Sequence, residues 1–397
     1  MTTTPLAASA ASASRPLSYV AAAWLACAVA GVAAQGLPAP EIAARNYLLL
    51  DVNAQQVLAE KNADAPVDPA SLTKLMTAYI AFQALRDHKL ALDQRLPVST
   101  RAWNERKFDG SLMFIDPKMT PTVNELLQGL IVDSGNDAAV ALAEGVAGSV
   151  DAYVAMMNRQ SQAWGMKNTE YKNVTGLTEP GHHGTARDLV VTAEHIITDF
   201  PEYFHYYSQR DYRFNNIHQD NRNMLLGRDP SVDGMKTGYT DAAGYCLLAS
   251  AQRDFPNGKR RLMAIVMGTD SKTARANEAQ KLLNWGYTAF DDVRLVEGGK
   301  AVATVPVWKG KLAQVGLGSK LPIYVTVPKG EGDRLKTQIE RTDPLVAPLV
   351  AGQRVGTLKV TTASGAPVAQ VPLTVLEPVE QAGLFGRAWD ALRLWIK

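Results

Sequence analysis

Ser71 and Lys74 are the first residues in the sequence whose types and spacing could carry out covalent chemistry. They follow Pro69 at the start of an apolar run that is predicted to be helical, and positions i and i+3 of a helix lie on one face. A serine hydroxyl attacks a carbonyl only with a base in hydrogen-bonding reach, and a lysine can be that base if burial lowers its pKa. Because such pairs are common by chance, a solvated helix face is the alternative interpretation.

A second motif, Ser134-Gly135-Asn136, lies between two segments that are predicted to be helices. All three residues are common in turns, so ordinary turn chemistry is the alternative to a catalytic role. In a catalytic site, Ser134 would carry a proton between Lys74 and the leaving amine. Asn136 would hold a substrate amide carbonyl.

A third motif, Lys236-Thr237-Gly238, lies on a predicted strand that begins at Met235. A lysine is unusual in a strand buried on both faces, whereas on an edge strand it deters aggregation, which is the alternative interpretation. In a catalytic site, Lys236 would lie near the substrate carboxylate. Gly238 would let the backbone approach the ligand closely.

In the order S-x-x-K, S-x-N and K-T-G, the three motifs resemble the signature of penicillin-binding proteins and serine β-lactamases. The resemblance to low-molecular-mass D-alanyl-D-alanine carboxypeptidases of the peptidase S11 type extends to residues 69–77, 176–188 and 281–286. It includes the β-rich C-terminal region and the terminal amphipathic helix. The resemblance implies an enzyme that removes the terminal D-alanine from peptidoglycan pentapeptide stems through an acyl-enzyme on Ser71.

The resemblance also implies a role for each residue of the site. Lys74 takes the proton of Ser71, and the backbone N–H groups of Ser71 and Tyr239 form the oxyanion hole. Thr237 and Arg275 bind the substrate carboxylate, although an exposed arginine at a helix start is the alternative for Arg275. Well-known members carry His where this chain has Tyr239, so a side chain lining the cleft differs. β-Lactam antibiotics are expected to bind covalently, and no cofactor or metal is implied.

Three other functions stay open. A D,D-endopeptidase that cuts peptide cross-links shares this chemistry, although such relatives typically lack a second domain. A class A β-lactamase needs a deacylating glutamate, and Glu179 lies in a loop without the Leu and Asn expected there. A non-catalytic wall-binding protein would keep the fold, although all three motifs are intact here.

Hydrophobic periodicity predicts the elements that position these motifs. Strands are predicted at 46–51, 56–59, 235–239, 245–251 and 262–268, and helices at 124–132, 137–146, 151–164, 186–197 and 274–290. This pattern indicates an α/β (α+β) domain with an antiparallel sheet flanked by helices, followed by a small all-β domain of short runs broken by Gly and Pro. The predicted limits are a signal peptide over 1–34, a catalytic domain over 35–296, the all-β domain over 297–377 and an anchor helix over 378–397.

The N-terminal segment has the pattern of a signal peptide. Arg15 precedes small and apolar residues from 17 to 32, and Val32-Ala33-Ala34 supplies the small residues of a cleavage site. Export and cleavage after Ala34 are therefore predicted. An uncleaved anchor, or a lipoprotein lipidated at Cys27, is the alternative.

The C-terminal segment has the pattern of an amphipathic helix that lies on a membrane surface. Its apolar face carries Leu384, Phe385, Ala388, Trp389, Leu392, Trp395 and Ile396, and its polar face carries Arg387, Asp390, Arg393 and Lys397. A helix docked on its own domain is the alternative. With the signal peptide, the segment predicts a location at the periplasmic face of the inner membrane.

Composition restricts the remaining possibilities. A formal net charge of +2 over 397 residues argues against a nucleic-acid partner. Cys246 would be alone after signal cleavage, so no intrachain disulfide is predicted, and its apolar neighbours indicate a buried thiol. His182 and His183 lack the spaced partners of a metal site and are interpreted as loop residues near the cleft.

Overall fold

The structure is a computed structural model that describes residues 37–341 and 343–396. The predicted signal peptide, with Cys27, lies outside the described residues. The described chain forms a sheet flanked by helices, followed by a region built almost wholly of strands.

Five strands form an antiparallel sheet at the centre of the first region. They are β1 (Asn46–Asp51), β2 (Gln56–Lys61), β5 (Val232–Thr240), β6 (Gly244–Phe255) and β7 (Gly258–Thr269). A separate hairpin consists of β3 (Asp211–Phe214) and β4 (Ile217–Asp220). The order across the sheet is β2-β1-β7-β6-β5, so β5, which carries the K-T-G motif, lies at an edge. An edge strand of this kind can pair with an extended peptide.

Helices cover both faces of the sheet. They are α1 (Lys74–Arg86), α2 (Thr100–Asn104), α3 (Val123–Ile131), α4 (Asn136–Ala147), α5 (Val150–Ala163), α6 (Ala186–Asp199) and α7 (Lys272–Ala289). Successive side chains of a strand point to opposite faces. Leu48 and Ile265 therefore join the core with α1 and α3 to α6, whereas Leu49 and Val266 pack with α7.

The second region begins with a two-stranded ribbon and continues as a six-stranded sheet. Its strands are β8 (Phe290–Val296), β9 (Ala301–Trp308), β10 (Gln314–Gly318), β11 (Ile323–Pro328), β12 (Lys336–Arg341), β13 (Leu345–Val346), β14 (Arg354–Thr361) and β15 (Pro367–Val375). The ribbon pairs β8 with β11, and the sheet has the order β12-β14-β15-β10-β9-β13. A core rich in valine and leucine lies inside this region.

The predicted fold class, an antiparallel sheet with helices plus a small all-β region, is confirmed. The limits at residues 296 and 377 stay predictions. β8, counted with the first domain, pairs with β11 of the second region. Val379 is buried in the core of the β strands, and the chain remains hydrogen-bonded there as far as Ala382, whose N–H donates to the carbonyl of Lys309.

The two regions meet at a buried ion pair. Arg260 Nε donates to Asp51 Oδ2 over 2.7 Å, and the Thr326 hydroxyl donates to the same oxygen over 2.7 Å. Both charged side chains are fully buried. The second region is therefore joined to the central sheet through β1 and β7 as well as through the chain itself.

The last described element is α8 (Leu384–Ile396). Its polar side contacts the β region, because Asp390 Oδ2 accepts from the backbone N–H of Lys309 over 2.7 Å and the Arg393 guanidinium lies 5.6 Å from the ring centroid of Trp308. Its apolar side chains Leu384, Phe385, Trp389, Leu392 and Trp395 are exposed. Among the described helices, none by itself has the length and apolar character of a membrane span, and only the bent pair α4 and α5 reaches them jointly.

Candidate active site

Ser71 lies in a 3-10 turn, Ala70–Thr73, that leads directly into α1. Ala70 has a φ of +48°, a left-handed conformation that is unfavourable for a residue with a Cβ. The turn is held by the N–H of Leu72, which donates to the carbonyl of Pro69 over 3.2 Å. This strained turn places Ser71 at the wall of a cleft, while most of α1, which follows it, is buried.

Lys74 lies one helical turn after Ser71 and is 1% exposed, so the alternative of a solvated helix face is excluded. Its Nζ donates to Ser71 Oγ over 3.0 Å, to Asn136 Oδ1 over 2.7 Å and to the carbonyl of Thr175 over 2.7 Å. Burial lowers the pKa of Lys74 to about 7, against the opposing effect of the Glu105 carboxylate. A substantial share of Lys74 is therefore uncharged near neutral pH and able to accept a proton.

The S-x-N turn lies against the same lysine. Ser134 has a φ of +59° and lines the cleft, and the N–H of Gly135 donates to the carbonyl of Gly129 over 2.8 Å. Asn136 Oδ1 accepts from Lys74, and its buried Nδ2 has no hydrogen-bond partner among the described residues. The amide N–H₂ of Asn136 is thus an unused donor in a residue that lines the cleft.

Asp137, the residue after the S-x-N turn, holds the loop around residues 113–115 in place. Its carboxylate accepts from the N–H groups of Met113 over 2.8 Å and Ile115 over 3.1 Å, as well as from the adjacent Ala138. Sequence reasoning missed Asp137, although an acidic residue in the first turn of a helix is a recognisable signal.

The K-T-G strand runs close to the serine turn because its third residue has no side chain. A Cβ on Gly238 would lie 3.1 Å from Ala70 Cβ and 3.3 Å from the backbone nitrogen of Ser71. Lys236 is buried, and its Nζ donates to the carbonyl of Thr237 over 3.1 Å. Burial, reinforced by the charges of Lys74 and other cations, holds the pKa of Lys236 well below its usual range.

Arg275 lies on α7 and is 3% exposed, so the alternative of an exposed arginine is excluded. Its Nη1 donates to the carbonyl of Gly238 over 3.0 Å and its Nη2 to that of Arg222 over 3.4 Å. Arg222 also lines the cleft and donates to the carbonyl of Asp133. Sequence reasoning missed Arg222, which has no local motif and joins the site through long-range contacts.

A cavity of about 860 Å³ connects these groups. Of the predicted site residues, it is lined by Ser71, Ser134, Asn136, Thr237, Gly238, Tyr239 and Arg275. Lys74 and Lys236 are buried, and neither is among the lining residues. A cavity of this size holds a short peptide or a drug-sized molecule.

Tyr239 is 48% exposed at the rim of the cavity. Its hydroxyl donates to Asp241 Oδ1 over 2.7 Å, and its ring centroid lies 4.3 Å from that of Tyr245. The aromatic ring is therefore held in place where well-known relatives would present an imidazole.

His182 lies behind the serine turn. Its Nδ1 accepts from the N–H of Lys172 over 3.0 Å, which leaves Nε2 to donate to Thr73 Oγ1 over 2.9 Å. Burial lowers the pKa of His182 to about 4, so the ring is neutral near neutral pH. The described residues include no group of three or more His, Cys, Asp or Glu arranged to hold a metal ion. Cys246 is buried as predicted, and burial raises the pKa of its thiol to about 11.

Comparisons with known proteins agree with this geometry. A family model described as D-alanyl-D-alanine carboxypeptidase, peptidase S11, matches residues 33–271, and one described as penicillin-binding protein 5, C-terminal domain, matches residues 290–381. The chain is 41% identical over 363 residues to D-alanyl-D-alanine carboxypeptidase DacC of Escherichia coli (strain K12), covering 90% of each chain.

Solved structures give the same result. Penicillin-binding protein 5 from Haemophilus influenzae has a TM-score of 0.83 at 38% identity, covering 87% of this chain and 100% of the other. Penicillin-binding protein D2 from Listeria monocytogenes, in its ampicillin-bound form, has a TM-score of 0.57 at 29% identity, covering 64% of this chain and 100% of the other.

Proposed function

The chain belongs to the D-alanyl-D-alanine carboxypeptidases of the peptidase S11 family, and we propose that Ser71 is the nucleophile of its reaction. The carboxypeptidase activity is that of the family. The residues that perform it, the acyl-enzyme and the preferred substrate are the proposal. The hydrogen bond of 3.0 Å between Lys74 Nζ and Ser71 Oγ is the observation that carries it.

The first step is the acylation of Ser71. Uncharged Lys74 takes the hydroxyl proton, and Oγ attacks the carbonyl carbon between the two terminal D-alanines of a peptidoglycan pentapeptide stem. The backbone N–H groups of Ser71 and Tyr239 stabilise the oxyanion, and each donor of this kind is typically worth about 3 kcal/mol. The close approach of Gly238 to the Ser71 nitrogen supports this arrangement, because it brings the backbone of β5 next to the backbone of the serine turn.

The second step is the departure of the terminal D-alanine. Ser134 carries the proton from Lys74 to the leaving nitrogen as the C–N bond breaks. Water then hydrolyses the ester on Ser71 and regenerates the hydroxyl. The position of Ser134 on the cleft wall supports this role, as does the contact of Lys74 with neighbouring Asn136.

Substrate is held by groups on both sides of Ser71. Asn136 Nδ2, which has no hydrogen-bond partner among the described residues, donates to the amide carbonyl of the stem. Thr237 and Arg275 bind the terminal carboxylate, and that anion favours the charged form of buried Lys236, whose pKa is otherwise held well below its usual range. A carboxylate is favoured there because burial of these cations is compensated only when an anion binds.

Covalent binding of β-lactam antibiotics follows from the same chemistry, since a strained lactam carbonyl meets Ser71 in place of the peptide. The ampicillin-bound form of the Listeria relative supports this. The alternative of a D,D-endopeptidase is not favoured, because the similar curated proteins are named as carboxypeptidases.

We also propose that the protein is exported and peripheral at the periplasmic face of the inner membrane. Residues 1–34 serve as the signal peptide, 35–296 and 297–377 as the catalytic and β domains, and 378–397 as the anchor. The exposed apolar side of α8 supports the anchor.

Release of D-alanine from a soluble acyl-D-Ala-D-Ala peptide tests the proposal, with Ser71→Ala measured beside the unaltered protein. We expect release and covalent penicillin labelling, both lost in Ser71→Ala. Labelling without release would indicate slow deacylation or endopeptidase action instead. A Ser71→Ala protein that still becomes labelled would refute the role of Ser71.

A further inference from the structure

Glu105 is a buried carboxylate close to the active site that the mechanism above leaves unused. It opens the 3-10 turn Glu105–Lys107, which directly follows α2, and it is only 9% exposed. Its Oε2 is buried without a hydrogen-bond partner among the described residues. Acidic side chains are rarely buried unless paired, so this carboxylate needs a physical reason.

The turn that Glu105 opens is held in place by Arg106. Arg106 Nε donates to the carbonyl of Trp103 over 2.9 Å, and its Nη2 donates to that of Ile115 over 3.0 Å. The Arg106 guanidinium also lies 4.5 Å from the ring centroid of Trp103. The turn packs against α4, whose first residue, Asn136, binds Lys74, so buried Glu105 lies in the element next to the residues that hold the lysine.

Among the carboxylates that act on Lys74, Glu105 is the one whose charge is least shared with other groups. The carboxylates that act on Lys74 are Glu105 and Asp137, and the charge of Arg222 opposes them. Asp137 shares its charge among three backbone N–H groups, whereas Glu105 Oε2 shares its charge with none. Burial raises the pKa of Glu105, whereas the charges of Lys74 and Arg101 oppose that rise and favour the carboxylate.

We propose that Glu105 is a positioning residue that acts through Lys74 without touching the substrate. Lys74 becomes an ammonium ion when it takes the proton of Ser71, and the Glu105 carboxylate stabilises the positive charge that forms. The proton stays on Lys74 Nζ until Ser134 passes it on, and Glu105 takes none. This inference rests on the proposed role of Lys74 as the base.

The test is the pH dependence of acylation in Glu105→Gln, measured with a fluorescent penicillin from about pH 5 to about pH 9. Without the carboxylate, Lys74 holds its proton less firmly, so the acid limb of the profile should move to lower pH by roughly one unit. The plateau rate should fall roughly tenfold, because Lys74 is then a weaker base. The difference in acylation rate between the variant and the unaltered protein should therefore be smaller at low pH than on the plateau.

Two further variants separate electrostatics from structure. Glu105→Asp keeps the charge and should keep the acid limb near its original position. Glu194→Gln removes a carboxylate on α6 that accepts from Gln55, and it should leave both limb and plateau unchanged. If Glu105→Gln fails to fold, Glu105→Ala, which leaves room for water, carries the same expected shift.

A uniform loss of rate at every pH, with the limb in place, would assign Glu105 a purely structural role and overturn the inference. An acid limb that moves as far in Glu105→Asp as in Glu105→Gln would also overturn the inference. These outcomes differ from failure of the proposed function, which would appear as the absence of Ser71 labelling in the unaltered protein.

Discussion

The Nζ atom of Lys74 lies 3.0 Å from the hydroxyl oxygen of Ser71, at the point where a 3-10 turn becomes α1. The contact is local, since the two residues are one helical turn apart. The other two bonds of the same nitrogen, to Asn136 and to the carbonyl of Thr175, are long-range. The helix therefore supplies the pair, whereas the surrounding fold buries the lysine and determines its pKa.

Lys74→Met should abolish most of the acylation, by a factor on the order of 10³, because the general base is lost. It should also stabilise the protein at neutral pH. Lys74 is fully buried with a pKa of about 7, whereas a lysine in the unfolded chain has a pKa of about 10.4. The unfolded state thus binds more protons between these values, so the stability of the unaltered protein rises with pH across that window.

The measurement for this prediction is urea unfolding of both proteins at about pH 6, 8 and 10. Below pH 7 the variant should exceed the unaltered protein by on the order of 4 kcal/mol, and the difference should shrink toward pH 10. A difference that stays constant with pH would mean that the pKa of Lys74 is not lowered in the folded state.

The fold class and the three motifs could be predicted because their signals are local. Short runs of residues predicted β1 at its observed limits and most of β7, which begins four residues earlier, at Gly258. The apolar spacing predicted α3 and α4 to within one residue. The helix predicted at 274–290 begins two residues earlier, at Lys272, because Ser271 accepts from the N–H of Ala274 and caps it.

Other features could not be predicted because they depend on packing between distant segments. Glu105 and Arg222 join the site without a motif, and only the assembled fold shows that Glu105 is buried and that Arg222 lines the cleft. The hairpin β3–β4 was missed because its strands are only four residues long and largely exposed, although polar and aromatic residues alternate from Asp211 to Phe214. Its turn, Asn215-Asn216, has positive φ at both residues and was a second usable signal.

Gly238→Ala should reduce acylation by up to roughly 10-fold, because a misplacement of about 1 Å in a catalytic site costs about 100-fold and the shift needed here is smaller. The added Cβ would lie 3.1 Å from Ala70 Cβ and 3.3 Å from the Ser71 nitrogen, so β5 or the serine turn must give way by a few tenths of an ångström. Gly227→Ala is the matched control, since a Cβ there meets no atom within 4 Å. The rate constant for penicillin labelling is the readout, and equal rates in both variants would contradict the close approach.

Arg275→Gln should raise KM for a peptide with a free terminal carboxylate by roughly 10- to 100-fold, in line with the loss of a charged hydrogen bond. A peptide that ends in D-alaninamide lacks that carboxylate and should be cleaved equally by both proteins. The comparison of the two peptides therefore separates carboxylate binding from general damage to β5, whose Gly238 carbonyl Arg275 also holds. Equal losses on both peptides would assign Arg275 to the support of the strand alone.

Removal of α8 by ending the chain after Gly383 should leave D-alanine release from a soluble peptide unchanged and abolish binding to anionic lipid vesicles. The cut spares Val379 and the hydrogen bond between Ala382 and Lys309 but removes the hydrogen bond from the Lys309 N–H to Asp390, so the β region should lose about 1 kcal/mol and stay folded. Trp389→Glu is the finer test, because this side chain is 62% exposed on the apolar side of α8 and its replacement disturbs no described core. Burial of an aromatic side chain in a membrane contributes about 2 kcal/mol, so one charge there should weaken cosedimentation at least tenfold. Vesicle binding that persists in both variants would show that α8 is not the anchor.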